Sequence, residues 1–277
     1  MVRKVPVELP EGYVEFYKDL ETWQNETQVK LNKLYSRDEV DLNTILTNNE
    51  KSLIKIIDFT INKDTFENVY LEFLAFLDKA RPSVSPLIKA ISDNINLIDF
   101  ENLANKVLDD DYAYFNKLSE DIGVSRDFLI FTVDHTMRPF LRAYAKPFNE
   151  NIGEDDLQAW SNSGICPICS SKSNFCRLRA SDGRRFMFCE RCFTEWETRY
   201  LYCIHCTNDE PKTIKYFTVE NDESYQLYIC EKCNCYVKTY DERPSGREVD
   251  LFIANIETIY LDMLAEEKGY SNSPTTN

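Results

Sequence analysis

Eight of the ten cysteines in this chain fall in four Cys-x-x-Cys pairs: Cys166/Cys169, Cys189/Cys192, Cys203/Cys206 and Cys230/Cys233. Two cysteines three apart on a tight turn aim both sulfurs at one ion, and two such turns joined by a hairpin complete a tetrahedron. Nineteen residues separate the first pair from the second and 23 the third from the fourth, but only ten lie between the second and the third. That rhythm predicts one site from Cys166, Cys169, Cys189 and Cys192, and another from Cys203, Cys206, Cys230 and Cys233. An interleaved pairing would need the hairpins to cross. Met1 to Gly12 has no apolar stretch of the secretory type, which predicts a cytoplasmic protein, where such pairs read as metal ligands rather than disulfides.

Closed sites of this kind serve folding. A segment of short strands with little core gains on the order of 10 kcal/mol towards order from a structural metal. Four thiolates leave no open coordination position, which disfavours a hydrolytic zinc enzyme. Sulfur tetrahedra suit zinc and iron alike, so the expected cofactors are two Zn or Fe ions, one per site. With iron the sites would be rubredoxin-like and could cycle redox state. Cys176 and Cys235 are left over as buried spare thiols, although Cys235 could replace Cys233. His205, inside the third pair, reads as an exposed knuckle residue.

The first 150 residues read as helices. Phe16, Leu20 and Trp23 follow helical spacing, and Phe66, Val69, Tyr70, Phe73, Leu74 and Leu77 hold one stripe for three turns. Ser83 or Ser85 could cap a helix beyond Pro82. Another helix is expected after Ser125, with Pro139 kinking or restarting it and Pro147 ending it. His135, beside Asp134 and near Arg138, has no accompanying nucleophile and reads as structural. After a linker at Glu154-Asp155-Asp156 come β-prone runs at Arg185 to Phe188, Tyr200 to Tyr202, Tyr216 to Val219 and Tyr225 to Ile229. Val249, Phe252, Ile253, Ile256, Tyr260, Met263 and Leu264 keep helical spacing before Gly269, and Ser271 to Asn277 reads as a frayed tail. The fold class expected is α plus small β. It comprises an all-helical domain over 1–156 and tandem rubredoxin-like or zinc-ribbon Cys₄ modules over 160–240 (first about 166–200, second about 201–240). A C-terminal amphipathic helix over 247–270 then packs back on the core.

Charge narrows the function. The net charge is −15, and residues 1–165 hold 18 basic against 29 acidic side chains. Such a surface repels phosphate backbones, so no nucleic-acid partner is expected. Residues 166–200 do carry Lys172, Arg177, Arg179, Arg184, Arg185, Arg191 and Arg199 against four acids, but four thiolates and a divalent ion nearly cancel that excess. A local Arg face meeting an acidic protein remains open. No apolar run is long enough to span a bilayer, and no phosphate loop, nucleotide fingerprint or hydrolase elbow occurs, so no enzyme is expected.

The residues around the pairs form a longer pattern. It runs from Trp160 and Cys166-Pro167-Ile168-Cys169 through Arg185-Phe186-Met187-Phe188-Cys189-Glu190-Arg191-Cys192 to Thr194-Glu195-Trp196 and Arg199. It continues through Cys203, Cys206, Cys230-Glu231-Lys232-Cys233, Tyr236 and Lys238, and closes on Asp250-Leu251, Leu261-Asp262 and Glu267-Lys268-Gly269-Tyr270. Upstream, Arg138-Pro139-Phe140-Leu141 belongs with it. Over roughly residues 125–270 this pattern resembles the formate dehydrogenase accessory protein family (FdhE-type). The family commonly has Gly after the first and last pairs, where the backbone wants positive φ; here Ser170 and Asn234 stand there, and the Gly-Ser-x-Pro after the first pair is absent. The resemblance implies a cytoplasmic assembly or maturation factor whose partner is the catalytic subunit of a formate dehydrogenase. The alternatives are an iron-containing rubredoxin-like redox protein and a zinc-ribbon nucleic-acid or transcription adaptor.

Overall fold

A computed structural model describes residues 9–35, 51–56, 59–151, 160, 164–219, 222–244 and 246–273. The chain forms two compact units, one of residues 1–19, 38–56 and 145–277 and the other of 20–37 and 57–144. The described helices are α1 (Tyr13–Tyr35), α2 (Leu53–Ile56), α3 (Lys63–Ala80), α4 (Ser85–Asp93), α5 (Leu103–Leu108), α6 (Tyr112–Ile122), α7 (Arg126–Asn151), α8 (Leu251–Glu257) and α9 (Ile259–Glu267). The unit boundaries fall within α1 and α7. The expected linker at Glu154-Asp155-Asp156 lies outside the described residues, as do residues 274–277.

The unit of 20–37 and 57–144 is helical. All six residues of the α3 stripe are buried, Phe66 packs on Phe140 and Trp23 lies against Phe73 and Phe76. Asn62 caps α3 by accepting from the Thr65 N–H at 3.0 Å. Neither Ser83 nor Ser85 caps α4: the chain enters it through a 3₁₀ turn at Pro82–Val84, with no side-chain cap. Helix α7 runs through both Pro139 and Pro147 instead of stopping. The i→i+4 bond that Pro139 cannot make would have served the His135 carbonyl. That carbonyl accepts from Gln24 Nε2 at 2.9 Å instead, so the cost of continuing the helix is met from α1. His135 is buried, its Nδ1 3.2 Å from the same amide and its ring against Phe131. Asp134 and Arg138 form a buried ion pair at 2.8 Å.

The other unit is built on one six-stranded sheet. Its strands are β1 (Phe175–Leu178), β2 (Arg185–Phe188), β3 (Glu195–Thr198), β4 (Ile214–Val219), β5 (Asp222–Cys230) and β6 (Cys235–Asp241), in the order β3-β2-β1-β6-β5-β4. β1-β2-β3 and β4-β5-β6 are each antiparallel meanders. They join through the parallel pair β1–β6, with Phe175 opposite Lys238 and Leu178 opposite Asp241. The tandem modules therefore share a single sheet. Tyr200 to Tyr202 is not a strand but the turn between them, with Leu201 at φ 50°.

One face of the sheet carries Phe175, Phe188, Tyr225, Leu227, Ile229, Tyr236 and Tyr240, covered by Phe252, Tyr260, Leu261 and Ala265 from α8 and α9. The single C-terminal helix expected is two. Thr258 turns its hydroxyl back to the Ala254 and Asn255 carbonyls, and Lys238 Nζ takes the Asn255 carbonyl at 3.0 Å, which ends α8. Asp250 caps the start of α8 through the Ile253 N–H. Ser271, expected in a frayed tail, is tied down beside the fourth pair: its N–H donates to Asn234 O and its carbonyl accepts from Tyr236 N.

Candidate metal centres

Each cysteine pair sits on the same backbone device. The residue after each second cysteine has positive φ: Ser170 63°, Phe193 62°, Thr207 60° and Asn234 53°. Its N–H returns to the carbonyl of the first cysteine at 3.2, 2.8, 3.0 and 2.9 Å respectively. In the first three knuckles the N–H of the first cysteine also bonds the carbonyl five residues on; in the fourth, Cys230 pairs with Cys235 in the ladder. None of the four positions is glycine, and a left-handed backbone costs an L-residue about 1–2 kcal/mol. At Phe193 that cost is offset by packing on Phe188 and Phe252, with ring centroids at 5.4 and 5.9 Å.

The eight sulfurs gather as the spacing predicts, the first pair with the second and the third with the fourth, all four within 4.8 Å of one another in each cluster. Cys166 and Cys192 lie 3.5 Å apart and Cys169 and Cys189 3.4 Å in the first, Cys203 and Cys233 3.6 Å and Cys206 and Cys230 3.7 Å in the second. Disulfides need about 2.0 Å. Metal–sulfur bonds of about 2.3 Å set tetrahedral edges of about 3.8 Å, so both clusters fit a four-thiolate ion and could hold one. Cys176 and Cys235 stay outside: Cys176 Sγ lies 3.1 Å from Thr239 Oγ1, and Cys235 Sγ faces the Cys233 carbonyl.

The clusters differ in their surroundings. The first is fully buried, whereas Cys206 and Cys233 of the second are partly exposed. In the first, burial pushes the Cys166 and Cys189 thiols up. In the second, burial works against the Cys230 thiolate, but the N–H groups of Cys233 and Lys232 and the Asn208 amide overcome it and hold the thiol down at about 7. The Asn208 Nδ2 is 3.4 Å from that sulfur. His205 is half-buried rather than exposed, with Nε2 3.1 Å from the Tyr236 carbonyl, and burial lowers its pKa.

Segments distant in sequence brace the first cluster. Ser52 Oγ donates to Cys166 O at 2.7 Å, and the N–H groups of Leu53 and Ile54 donate to Pro167 O and Ile168 O at 2.8 and 3.0 Å. Glu190 accepts from Asn255 Nδ2 at 3.0 Å. Nearby, Asp262 accepts from Tyr236 Oη at 2.7 Å and from the buried Lys238 ammonium at 2.6 Å, whose pKa burial lowers despite that carboxylate. Sequence reasoning found none of these supports of the α2 segment, since nothing near Ser52 marks it as a neighbour of a cysteine.

The Arg face is neutralised within the sheet. Arg177 pairs with Glu195 and Glu242, and Asp182 and Glu197 take Arg179 and Arg184. All three guanidinium groups stack over Phe186. Arg185 is not on that face at all but buried. Among the described residues, no helix is long and apolar enough to cross a membrane.

Residues 201–276 match the family model "FdhE, C-terminal domain". A protein of Aquifex aeolicus described as a "Protein FdhE homolog" is 28% identical over 151 residues, 53% of this chain and 51% of that protein. A Haemophilus influenzae protein of the same description is 25% identical over 222 residues, 77% of this chain and 68% of that one. The match thus spans about half the length of the Aquifex relative. The crystal structure of the FdhE protein from Pseudomonas aeruginosa superposes with a TM-score of 0.57 over 96% of this chain and 95% of that one, at 15% identity. The resemblance read from the cysteine pairs and their neighbours is borne out: residues 201–276 match the FdhE C-terminal domain, and the chain shares the fold of that FdhE crystal structure.

Proposed function

We propose that this chain is a cytoplasmic assembly or maturation factor that binds the catalytic subunit of a formate dehydrogenase, and that its two cysteine clusters hold one structural metal ion each. The match of residues 201–276 to the FdhE C-terminal domain carries this reading, supported by FdhE homologues over most of the chain. The clusters' role follows from their chemistry. Cys166, Cys169, Cys189 and Cys192 would hold one ion, and Cys203, Cys206, Cys230 and Cys233 the other. Either ion would be saturated by sulfur, leaving no position for a substrate. Each would clamp two knuckles and thereby the meander between them. The partner is a protein, and recognition falls to surfaces away from the sulfurs.

One test is anaerobic affinity capture of the tagged full chain from its native cell, with mass spectrometry and metal analysis on the same eluate. A formate dehydrogenase catalytic subunit in near-stoichiometric amount, with two metal ions per chain, is the expected result. Absence of that subunit overturns the partner. A second reading, an iron-bearing redox protein, draws on the partial exposure of Cys206 and Cys233, which would let electrons reach the second centre. It requires two irons and a colour that bleaches reversibly on reduction; colourless protein with two zinc ions excludes it.

A further inference from the structure

Arg185 is the most unusual charge among the described residues. It lies on β2 with 2% exposure, as buried as the aromatic core. Its hydrogen bonds are to neutral groups, Nε to Thr198 Oγ1 at 2.8 Å and Nη2 to the Tyr202 carbonyl at 3.0 Å. No carboxylate among the described residues lies within ion-pair distance. An uncompensated buried cation is strongly destabilising, so something in its surroundings has to carry negative charge.

The Tyr202 carbonyl that holds Nη2 belongs to the peptide leading into Cys203, which puts the guanidinium at the back of the third knuckle. The groups whose fields reach it, after burial itself, are Cys176, Tyr228, Cys203 and Tyr200, and its charge is felt in turn at His205 within that knuckle. Two of these are the phenols of Tyr228 and Tyr200, whose hydroxyls bond each other at 2.9 Å. Cys176 is a thiol that burial holds towards its neutral form, its sulfur 3.1 Å from the Thr239 hydroxyl. Cys203 is different. With its three partners and a divalent ion it forms a centre of net charge −2.

We propose that Arg185 is the internal counter-charge of the second centre, fixed beneath the Tyr202–Cys203 turn so that its guanidinium offsets the negative charge of an ion held by Cys203, Cys206, Cys230 and Cys233. The inference rests on the metal reading of that centre. It makes Arg185 a positioning residue that favours the loaded state without touching the ion. It also gives the second, more exposed centre an electrostatic support that binds it to β2 of the first module. The two modules are then coupled by charge as well as by the β1–β6 ladder.

The test uses Co(II) as the probe metal, titrated against a chelator in the full chain and in a Cys230→Ser/Cys233→Ser chain that keeps only the first centre, so that the difference between the two reads the second. The wild type comes first: a second centre that takes up no cobalt overturns the metal reading and this inference with it. If cobalt binds, Arg185→Met should weaken the second centre about tenfold or more, as loss of an outer-sphere partner does, while the first centre is unchanged. Metal-free Arg185→Met should be at least as stable as the wild type, because a buried charge has been replaced by an apolar side chain of similar length. Arg185→Lys should restore most of the affinity. If Arg185→Met does not fold, Arg185→Gln removes the charge while keeping a hydrogen-bonding head and carries the same expectation. Equal cobalt affinity in the wild type and the charge-free variants overturns the proposal. So does a Cys176→Ala chain that binds cobalt more tightly than the wild type, since the thiol would then have been the anion that Arg185 answers.

Discussion

Ser52 donates its hydroxyl to the carbonyl of Cys166 at 2.7 Å, across 114 positions of sequence. A knuckle that turns both sulfurs inward turns its carbonyls outward, and those at Cys166, Pro167 and Ile168 are buried and need donors. Ser52 and the first N–H groups of α2 supply them. The first centre is thus braced by a segment that contributes no ligand. Ser52→Ala removes the shorter of two hydrogen bonds to the Cys166 carbonyl and leaves it only the Ser170 N–H at 3.2 Å, at a cost of about 0.5–1.5 kcal/mol. The expected outcome is a lower thermal midpoint and faster loss of metal from the first centre to a chelator, with the second centre unaffected. An unchanged release rate would show that the brace is dispensable.

Replacing Cys189 and Cys192 together by serine should remove one metal ion per chain, loosen β1 to β3 and leave the helical signal in the far ultraviolet largely intact. The basis is that the core of the helical unit, Phe66 against Phe140 and Tyr70 with Thr132, uses no residue of the knuckles. Cys176→Ser should keep the metal count of the parent, because the Cys176 sulfur faces Thr239 rather than a cluster. Metal analysis and circular dichroism on the same samples check both. A metal lost from the Cys176 variant would change the ligand set.

What was legible beforehand follows the range of the forces involved. The cysteine spacing encodes local turns, so the pairing of sulfurs could be read directly, and the buried stripe of α3 follows from periodicity alone. The β1–β6 pairing could not be read: β1 is four residues long, preceded by serines and an asparagine, and becomes a strand because β6 lies beside it. The passage of α7 through Pro139 depends on one amide from Gln24. The burial of Arg185 was hidden for the same reason, since in sequence it stands among arginines that lie ion-paired on the opposite, partly exposed face. Ser170 and Asn234 adopt the positive φ for which glycine would be expected, so the departure from the family pattern leaves the knuckle geometry in place.

Asp182 sits at the tip of the β1–β2 hairpin, where hydrogen bonds from Arg179 and then Arg184 hold its carboxyl well below the usual carboxylate range. Its folded-state pKa is depressed, so its contribution is present above the unfolded value of 3.8 and lost as pH falls below it. The site is exposed and solvent screening keeps the contribution small. Asp182→Asn should therefore lower stability slightly at pH 7 and flatten part of the acid-induced loss below about pH 4. Thermal melts of both proteins across that range check the slope. A steeper acid loss in the variant would reverse the sign argued here.

Gln24 and Pro139 form a compensating pair. Pro139 withholds an N–H from the His135 carbonyl and Gln24 supplies one, while the other end of the same amide accepts from the buried Arg142 at 3.0 Å. Gln24→Ala takes a donor from the buried carbonyl and an acceptor from the buried guanidinium, so a loss of about 2–3 kcal/mol is expected. Pro139→Ala alone returns a helical N–H to a carbonyl already served and should change little. In the double variant the backbone N–H regained at position 139 satisfies the His135 carbonyl that Gln24 no longer reaches. The loss should then fall by about 1 kcal/mol or more, the coupling expected of groups that share one partner. Denaturant unfolding of the four proteins measures that coupling. Strict additivity would mean that the His135 carbonyl finds another donor when Gln24 is removed, and that α7 crosses Pro139 without help from α1.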